Sequence, residues 1–356
     1  MQYKNKILFL IGLLGIVTII LIIVLTTLYG PMTTNSNEVE VVIPPGTSIK
    51  EIGAILEEAN VIRSKNLFYI YVKLYNVGYL GSSNYILNTN MSVKEIINTL
   101  KIENNNPNQI VITFKEGIDI DEFINLVVSK TNNNNNTVKT KLKDKSFLNS
   151  LIDKYWFITK DILNEDLYHP LEGYLYPNTY FFHNKDVEVE TIIIKMLDAF
   201  ERDLKPLKKE MLKSDYSAFE IITLASIIEL EGAKTEDRLN IANVFYNRLN
   251  KRMNLGSDVT SYYGVSVKIQ ERDLTVEEFN DDNPYNTRLA NMQGKLPVGP
   301  ICNPSKDSII ATIRPKKNNY YYFVADKRKK IYFSETLKEH EEIIKTIKNK
   351  GDWITW

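Results

Sequence analysis

The sequence predicts an α+β protein in which an N-terminal transmembrane helix precedes small strand–helix units and then a mixed helical and β domain. Three observations predict it. Residues 7–29, ILFLIGLLGIVTIILIIVLTTLY, carry no charge, and a helix of that length crosses a hydrocarbon core of about 30 Å. Between residues 41 and 127 a β-rich run leading into a capped amphipathic helix occurs three times. From about residue 150 the texture changes to aromatic segments punctuated by Gly and Pro, alternating with long helical patterns.

The composition is that of a globular protein, with 44% hydrophobic and 25% charged residues over 356 positions. Lys+Arg and Asp+Glu are both 44, a balance that argues against a general nucleic-acid binder. Cys302 is the single cysteine, so no intramolecular disulfide supports the fold. The three histidines, His169, His183 and His340, are scattered, and no zinc-ligand spacing is present. Neither a metal nor a cofactor is expected.

Lys4 and Lys6 precede the apolar run, and the next basic residue is Lys50. The positive-inside rule therefore places residues 1–6 in the cytoplasm and everything after about residue 30 outside the cytoplasmic membrane. No small-x-small pattern follows Tyr29, and the apolar stretch is long for a signal peptide, so 7–29 reads as a retained single-pass anchor. Residues 30–40 form a polar linker.

The repeated units begin with VVIPPGTSIKEIGAIL (41–56), a strand, a turn and a helix opening at Thr47 or Ser48. YILNTNMSVKEIINTL (85–100) repeats the order, with SVKEI echoing SIKEI, and IVITFKEGIDIDEFINLV (110–127) gives a weaker third copy. Each places a Ser or Asp suited to N-capping before an i, i+3, i+4 apolar pattern. Residues 41–130 are thus expected to form a LysM-like α/β module that binds wall polymer or protein. A spacer packing on itself fits the pattern equally. The asparagine-rich tracts at 104–108 and 131–137 read as exposed loops, and 131–150 as a low-complexity linker.

In the domain expected over 151–348, LEGYLYPNTYFF (171–182) precedes an amphipathic helix at about 187–212. TLASIIELEG (223–232) ends a helix that begins near Ser217 and stops at Gly232. TEDRLNIANVFYNRLNKRM (235–253) is the next helix, capped by Thr235, with acids in its first turn and basic residues at its end. YYYFVAD and KIYFSE form a strand pair, and a last helix starts at Thr336.

Glu229 and Glu231 end the apolar stretch. Two residues apart on a helix, they point roughly 200° away from each other and form no acid/base dyad. Glu229 shares a face with Ala225, Ser226, Gly232 and Ala233, small residues against which a bulky ligand can lie. A carboxyl on such a face is partly desolvated, which suits a general acid. Glu231 sits with Leu224, Ile227 and Ile228 and is expected to bond a helix end or a basic residue such as Arg238.

Taken together, LASIIELEGAKTEDRLNIANVFYNRL, LGSDVTSYYG, NPYNTR, KLPVGPICNPSKDSIIATIRP, YYYFVAD and YFSETLKEH resemble the endolytic murein transglycosylases, the YceG-like family. EGYLYPNTY and IPPGTSIKEI match as well, so the resemblance runs from the anchor almost to the C-terminus. It implies a single-pass inner-membrane enzyme that cleaves peptidoglycan glycan strands, with Glu229 as catalytic acid and then base, leaving 1,6-anhydro-N-acetylmuramic acid ends. It places substrate-binding roles on Asp258, Tyr285, Asn286 and Thr287, and Ser226 lies in the same motif as the acid. Asn286 equally fits a role in organising its own turn. Val259, Val298 and Arg288 depart from the family pattern, which has proline at the first two and commonly an aromatic at the third. The implied partners are glycan strands, the membrane and the elongation and division machineries. A water-using muramidase and an inactive wall-binding scaffold are the alternatives.

Overall fold

A computed structural model describes residues 30–44, 46–78, 80–101, 109–182, 184–232 and 234–353, with isolated positions between 12 and 26. The expected anchor at 7–29 and the asparagine tract at 104–108 lie largely or wholly outside the described residues. Among those described, no helix is long and apolar enough to cross a membrane. The chain divides into two compact units: the first runs to Val111 and includes Phe181–Asn184, and the second comprises Ile112–Tyr180 and Lys185–Trp356.

The first unit follows the order β1 (Glu38–Ile43), α1 (Ile49–Glu58), α2 (Lys65–Leu74), β2 (Ser83–Asn88) and α3 (Val93–Lys101). β1 and β2 pair antiparallel, with Glu38 opposite Asn88 and Ile43 opposite Ser83. The echoed SIKEI and SVKEI segments are helix starts with reciprocal caps. Ser48 N–H donates to Glu51 at 2.7 Å and Ser92 N–H to Glu95 at 2.8 Å, while each serine hydroxyl accepts from the glutamate N–H. Ile43, Leu56, Phe68, Leu87, Ile96 and Leu100 are at the centre of this unit's core.

The third copy also folds as expected locally, as β3 (Ile110–Thr113) and then α4 (Ile120–Lys130), capped by Asp119. Its strand pairs with β4 (Thr179–Phe182) and not with β1 and β2. The unit boundary at Val111 puts this helix with the second unit, so the regular repeat does not define the module's end.

Residues 131–150, expected to be a linker opened by an exposed loop, are largely helical. α5 (Asn135–Leu142) starts inside the asparagine tract because Asn134 accepts from Thr137 N–H as its N-cap. Asn133 donates to Val187 O at 2.7 Å, and Val138 and Leu142 are buried. α6 (Lys145–Lys154) follows, capped by Asp144. Asparagine caps helices as readily as it makes loops, and one apolar side chain per turn, as at Val138 and Leu142, suffices to seat a short helix on a neighbour.

The longer elements in the rest of the second unit are α7 (Val189–Leu204), α8 (Ala218–Glu231), α9 (Thr235–Asn250), α10 (Asp258–Gly264), α11 (Lys306–Ile313), β5 (Tyr322–Ala325), β6 (Ile331–Ser334) and α12 (Leu337–Asn349), with one-turn helices at Lys208–Met211 and Val276–Phe279. The helix expected over 187–212 stops at Leu204, since Pro206 has no N–H to continue it and a 3-10 turn follows. β5 and β6 pair antiparallel. α8 is buried on every side from Ile221 to Ile228 and packs on α9, α10 and α11. It is the central helix of the unit, which explains why its sequence is apolar all round.

Candidate active site

α8 delivers Glu229 and Glu231 in its last turn. Ser217 and Glu220 cap its start reciprocally, and Gly232 ends it. The Glu229 side chain is only 5% exposed. Oε1 accepts from Arg238 Nη2 at 2.8 Å. Oε2 accepts from Ser305 N at 2.9 Å, Ser305 Oγ at 2.5 Å and Ser308 Oγ at 2.6 Å. Ser305 is the N-cap of α11, so the positive end of that helix is aimed at the carboxylate. Arg238 comes from the first turns of α9, where Lys234 is the N-cap and Thr235, expected in that place, instead donates to Asp307 at 2.9 Å.

Glu231 faces the other way, as helical geometry requires. Its Oε1 accepts from Ser257 Oγ at 2.5 Å. Burial pushes its carboxyl up to about 7; the Ser257 bond and Arg248 act against that, and Asp258 adds to it. The expected partnership of Arg238 with Glu231 is not formed, because Arg238 points to the Glu229 face.

The small residues beside Glu229 do not form an open floor for a ligand. Ala225 and Ser226 are fully buried beneath the protein's own loop. Ile301 N–H donates to Ser226 Oγ at 3.0 Å, and Cys302 Sγ lies 3.3 Å from Ser226 O. At Gly232 a Cβ would come within 2.7 Å of Arg238 Cγ. Small side chains are needed here so that the loop and the arginine can approach the helix.

The other residues expected to touch substrate are placed as follows. Asn286 is buried, with Oδ1 accepting from Ser261 Oγ and Arg288 N–H and Nδ2 donating to Phe279 O and Asp281 O. It organises its own turn. Thr287 is buried against Thr260, 2.8 Å between hydroxyls, and accepts from Ser257 N–H. Tyr285 is buried between Tyr168 and Tyr263, with ring centroids 4.7 and 4.8 Å away. Asp258 alone of the set is exposed, its side chain paired with Arg288. That pairing gives the departure at Arg288 a local partner. Buried side chains with every polar atom engaged hold the loops that carry Ser257 and Asp258.

Glu172, in the EGYLYPNTY segment, ties the site together. It is buried, and burial holds its carboxyl well above the ordinary range, with Asp119 adding to the effect. It accepts from Ile120 N–H at 3.1 Å and bonds Tyr263 Oη at 3.0 Å and Asn303 Nδ2 at 3.3 Å. Asn303 O accepts in turn from Gly117 N–H at 2.9 Å. Gly117 lies against the acid: a Cβ there would be 3.6 Å from Glu229 Cγ and 3.4 Å from Leu230. The preceding residue, Glu116, has its carboxyl raised by burial and by the charge of Glu229.

Gly117 and Leu230 also border a cavity of about 210 Å3 that extends to Tyr168, Tyr263, Asp121 and His169. None of the expected site residues lines this cavity or two larger depressions of about 420 and 610 Å3. Among the described residues no group of His, Cys, Asp and Glu is arranged to hold a metal ion.

Sequence reasoning missed Arg238 as the partner of Glu229, and it missed Ser305, Ser308, Glu172 and Gly117. The one available signal was S-x-x-S at 305–308 before an apolar run, a helix-start pattern.

Comparison with known proteins places these features in a family. The pattern of the YceG-like family matches residues 41–346. An endolytic murein transglycosylase of Bacillus subtilis is 35% identical over 305 residues, covering 85% of this chain and 83% of the relative. One from Streptococcus pneumoniae is 32% identical over 329 residues, covering 87% of this chain and 59% of that longer protein. The solved structure of a yceG-like protein from Listeria monocytogenes superposes with a TM-score of 0.62 at 36% identity, covering 87% of this chain and all of the other.

Proposed function

Because the chain belongs to the YceG-like family, we propose that it is an endolytic murein transglycosylase whose single catalytic carboxyl group is Glu229. One observation carries the assignment of the acid: a carboxyl group nearly out of water at the end of the central helix, held on both oxygens by Arg238, Ser305 and Ser308. Lytic cleavage needs one such group. Protonated Glu229 gives its proton to the glycosidic oxygen between N-acetylmuramic acid and N-acetylglucosamine as the C1–O bond breaks. The carboxylate left behind takes the proton of the muramic acid 6-hydroxyl, whose oxygen closes on C1 as a 1,6-anhydro ring. The serine hydroxyls can turn from donating to accepting as the carboxyl gains its proton, so both states of Glu229 remain hydrogen-bonded.

Hydrolysis is the second reading, favoured by Glu116, a second carboxyl within electrostatic reach of Glu229. Digestion of purified glycan strands by the chain from residue 31 onward separates the two, because lytic cleavage leaves anhydro ends and hydrolysis leaves reducing ends. Glu229→Gln, whose amide oxygen can still accept from Arg238, is expected to stay folded at reduced stability and to release no anhydro product. Undiminished release would remove the acid from Glu229.

The remaining assignments follow the same reading. Residues 7–29 are the single-pass anchor, with the N-terminus cytoplasmic and both units outside, a reading supported by the charge-free run behind Lys4 and Lys6. The β–α–α–β order of the first unit is LysM-like and holds wall polymer near the enzyme. Of the five expected binding residues, Asp258 reaches the glycan directly and Ser226, Tyr285, Asn286 and Thr287 act by fixing loops. Synthesis enzymes of elongation and division are its protein partners. Membrane fractionation with protease shaving of intact cells tests the topology, and loss of the signal on deletion of 7–29 is the expected result.

A further inference from the structure

In the first unit, α2 buries Phe68, Tyr71 and Val72 against the core. Its other face carries Leu67, Ile70 and Leu74, apolar side chains three and four residues apart and therefore in one stripe. Ile70 is 51% exposed and Leu74 74%. A helix that only closes a core turns polar residues outward, so an apolar stripe on the open side calls for a partner.

Charge and aromatic placement identify the kind of partner. Residues 59–94 contain Arg63, Lys65, Lys73 and Lys94 and no acid, in a chain whose charges otherwise balance. Lys65 is paired with Glu57 of α1 at 3.5 Å. On the flank of α2 the Lys50 and Lys73 ammonium groups lie 5.4 and 5.8 Å from the centre of the Tyr69 ring. An apolar stripe edged by lysine and tyrosine is the pattern of a helix lying in a bilayer interface, where the rings sit at headgroup level and the ammonium groups meet anionic lipid.

The chain itself brings α2 to such a surface. The charge-free run ends at Tyr29, and the two residues from there to Pro31 span at most about 7 Å. Pro31 O accepts from Arg63 Nη2 at 2.9 Å, two residues before α2 begins. Thr33 N–H donates to Thr89 O at 3.1 Å and Asn37 N–H to Thr89 Oγ1 at 3.3 Å, so the segment after the run is fastened to the unit. We infer that the Leu67, Ile70 and Leu74 face of α2 rests on the membrane surface from which residue 30 emerges, against anionic lipid. The inference depends on residues 7–29 being the anchor.

The test uses the full chain in vesicles of phosphatidylcholine and phosphatidylglycerol, with the environment-sensitive fluorophore NBD on Leu74→Cys. Cys302, the only other thiol, is buried. The label should emit blue-shifted and lose intensity to lipids carrying a nitroxide near the headgroup. Ile86 is 46% exposed between buried Tyr85 and Leu87 and so points away from the core of the unit. The same label on Ile86→Cys should stay aqueous and unquenched. Adding Leu67→Glu to the chain labelled at position 74 should return that label to water, and omitting phosphatidylglycerol should reduce the shift.

An aqueous label at position 74 overturns the inference, as does equal quenching at position 86. A shift that grows with the protein-to-lipid ratio and resists the nitroxide assigns the face to a second copy, and one that needs added glycan strands assigns it to wall polymer; either overturns the inference. Vesicle flotation reads the anchor separately. A chain that floats with an aqueous label at position 74 keeps the anchor and loses the lipid-facing helix, whereas a chain that does not float removes both.

Discussion

Arg238 Nη2 lies 2.8 Å from Glu229 Oε1, nine residues on and in the following helix, with both side chains nearly out of water. Gly232 makes this contact possible by letting the arginine stem lie on the end of α8. A charge pair this enclosed is costly to break from one side, because the survivor keeps its burial and loses its partner. Arg238→Ala should destabilise the second unit by about 3 kcal/mol and reduce cleavage. Urea unfolding with an unshifted midpoint would contradict this account of the pair.

Ser305 and Ser308 separate two roles that share one carboxylate oxygen. Ser305 caps α11 and donates twice to Glu229, whereas Ser308 donates once, through its hydroxyl. Ser305→Ala should cost about 1 kcal/mol of stability through the lost cap, together with a fall in kcat. Ser308→Ala should lower kcat with little change in stability. Equal melting temperatures for the two variants would show that the cap contributes nothing.

Glu231 gives stability a pH dependence of definite sign. Its carboxyl, ordinarily near 4.5, is raised to about 7 in the folded protein. Above about pH 4.5 the unfolded chain has lost a proton that the folded chain keeps. The contribution is therefore full below that value, declines as pH rises and is gone beyond about pH 7, a change on the order of 3 kcal/mol at most. Glu231→Gln cannot lose that proton. The stability difference between wild type and variant should shift against wild type across this window, and parallel pH curves would refute it.

Gly173 is expected to tolerate no side chain. Its φ is +88°, and a Cβ would stand 2.7 Å from Pro300 and 2.8 Å from Ile222. Gly173→Ala should lower stability by about 2 kcal/mol or more and displace the 297–303 loop that covers Ser226. Proteolysis of that loop in the variant is the readout, and a variant as resistant as wild type would count against the fit.

Sequence by itself determined the features that depend on hydrogen bonds between near neighbours. The serine N-caps at Ser48 and Ser92, the start of α8 at Ser217 and its stop at Gly232 were all legible, because an unsatisfied helix end needs a partner within three or four residues. The opposed directions of Glu229 and Glu231 were legible for the same reason: 3.6 residues per turn fixes them. The asparagine tract misled because composition does not say whether Asn134 closes a loop or caps a helix.

Tertiary structure alone decided what each carboxylate meets. Ser305 and Ser308 reach Glu229 from 76 and 79 residues away, and Ser257 reaches Glu231 from 26. The small face of α8, which suggested an open floor for glycan, is filled by the protein's own Ile301–Cys302 loop. A small residue records that something must come close. Whether that is ligand or chain depends on long-range packing, which local periodicity does not encode.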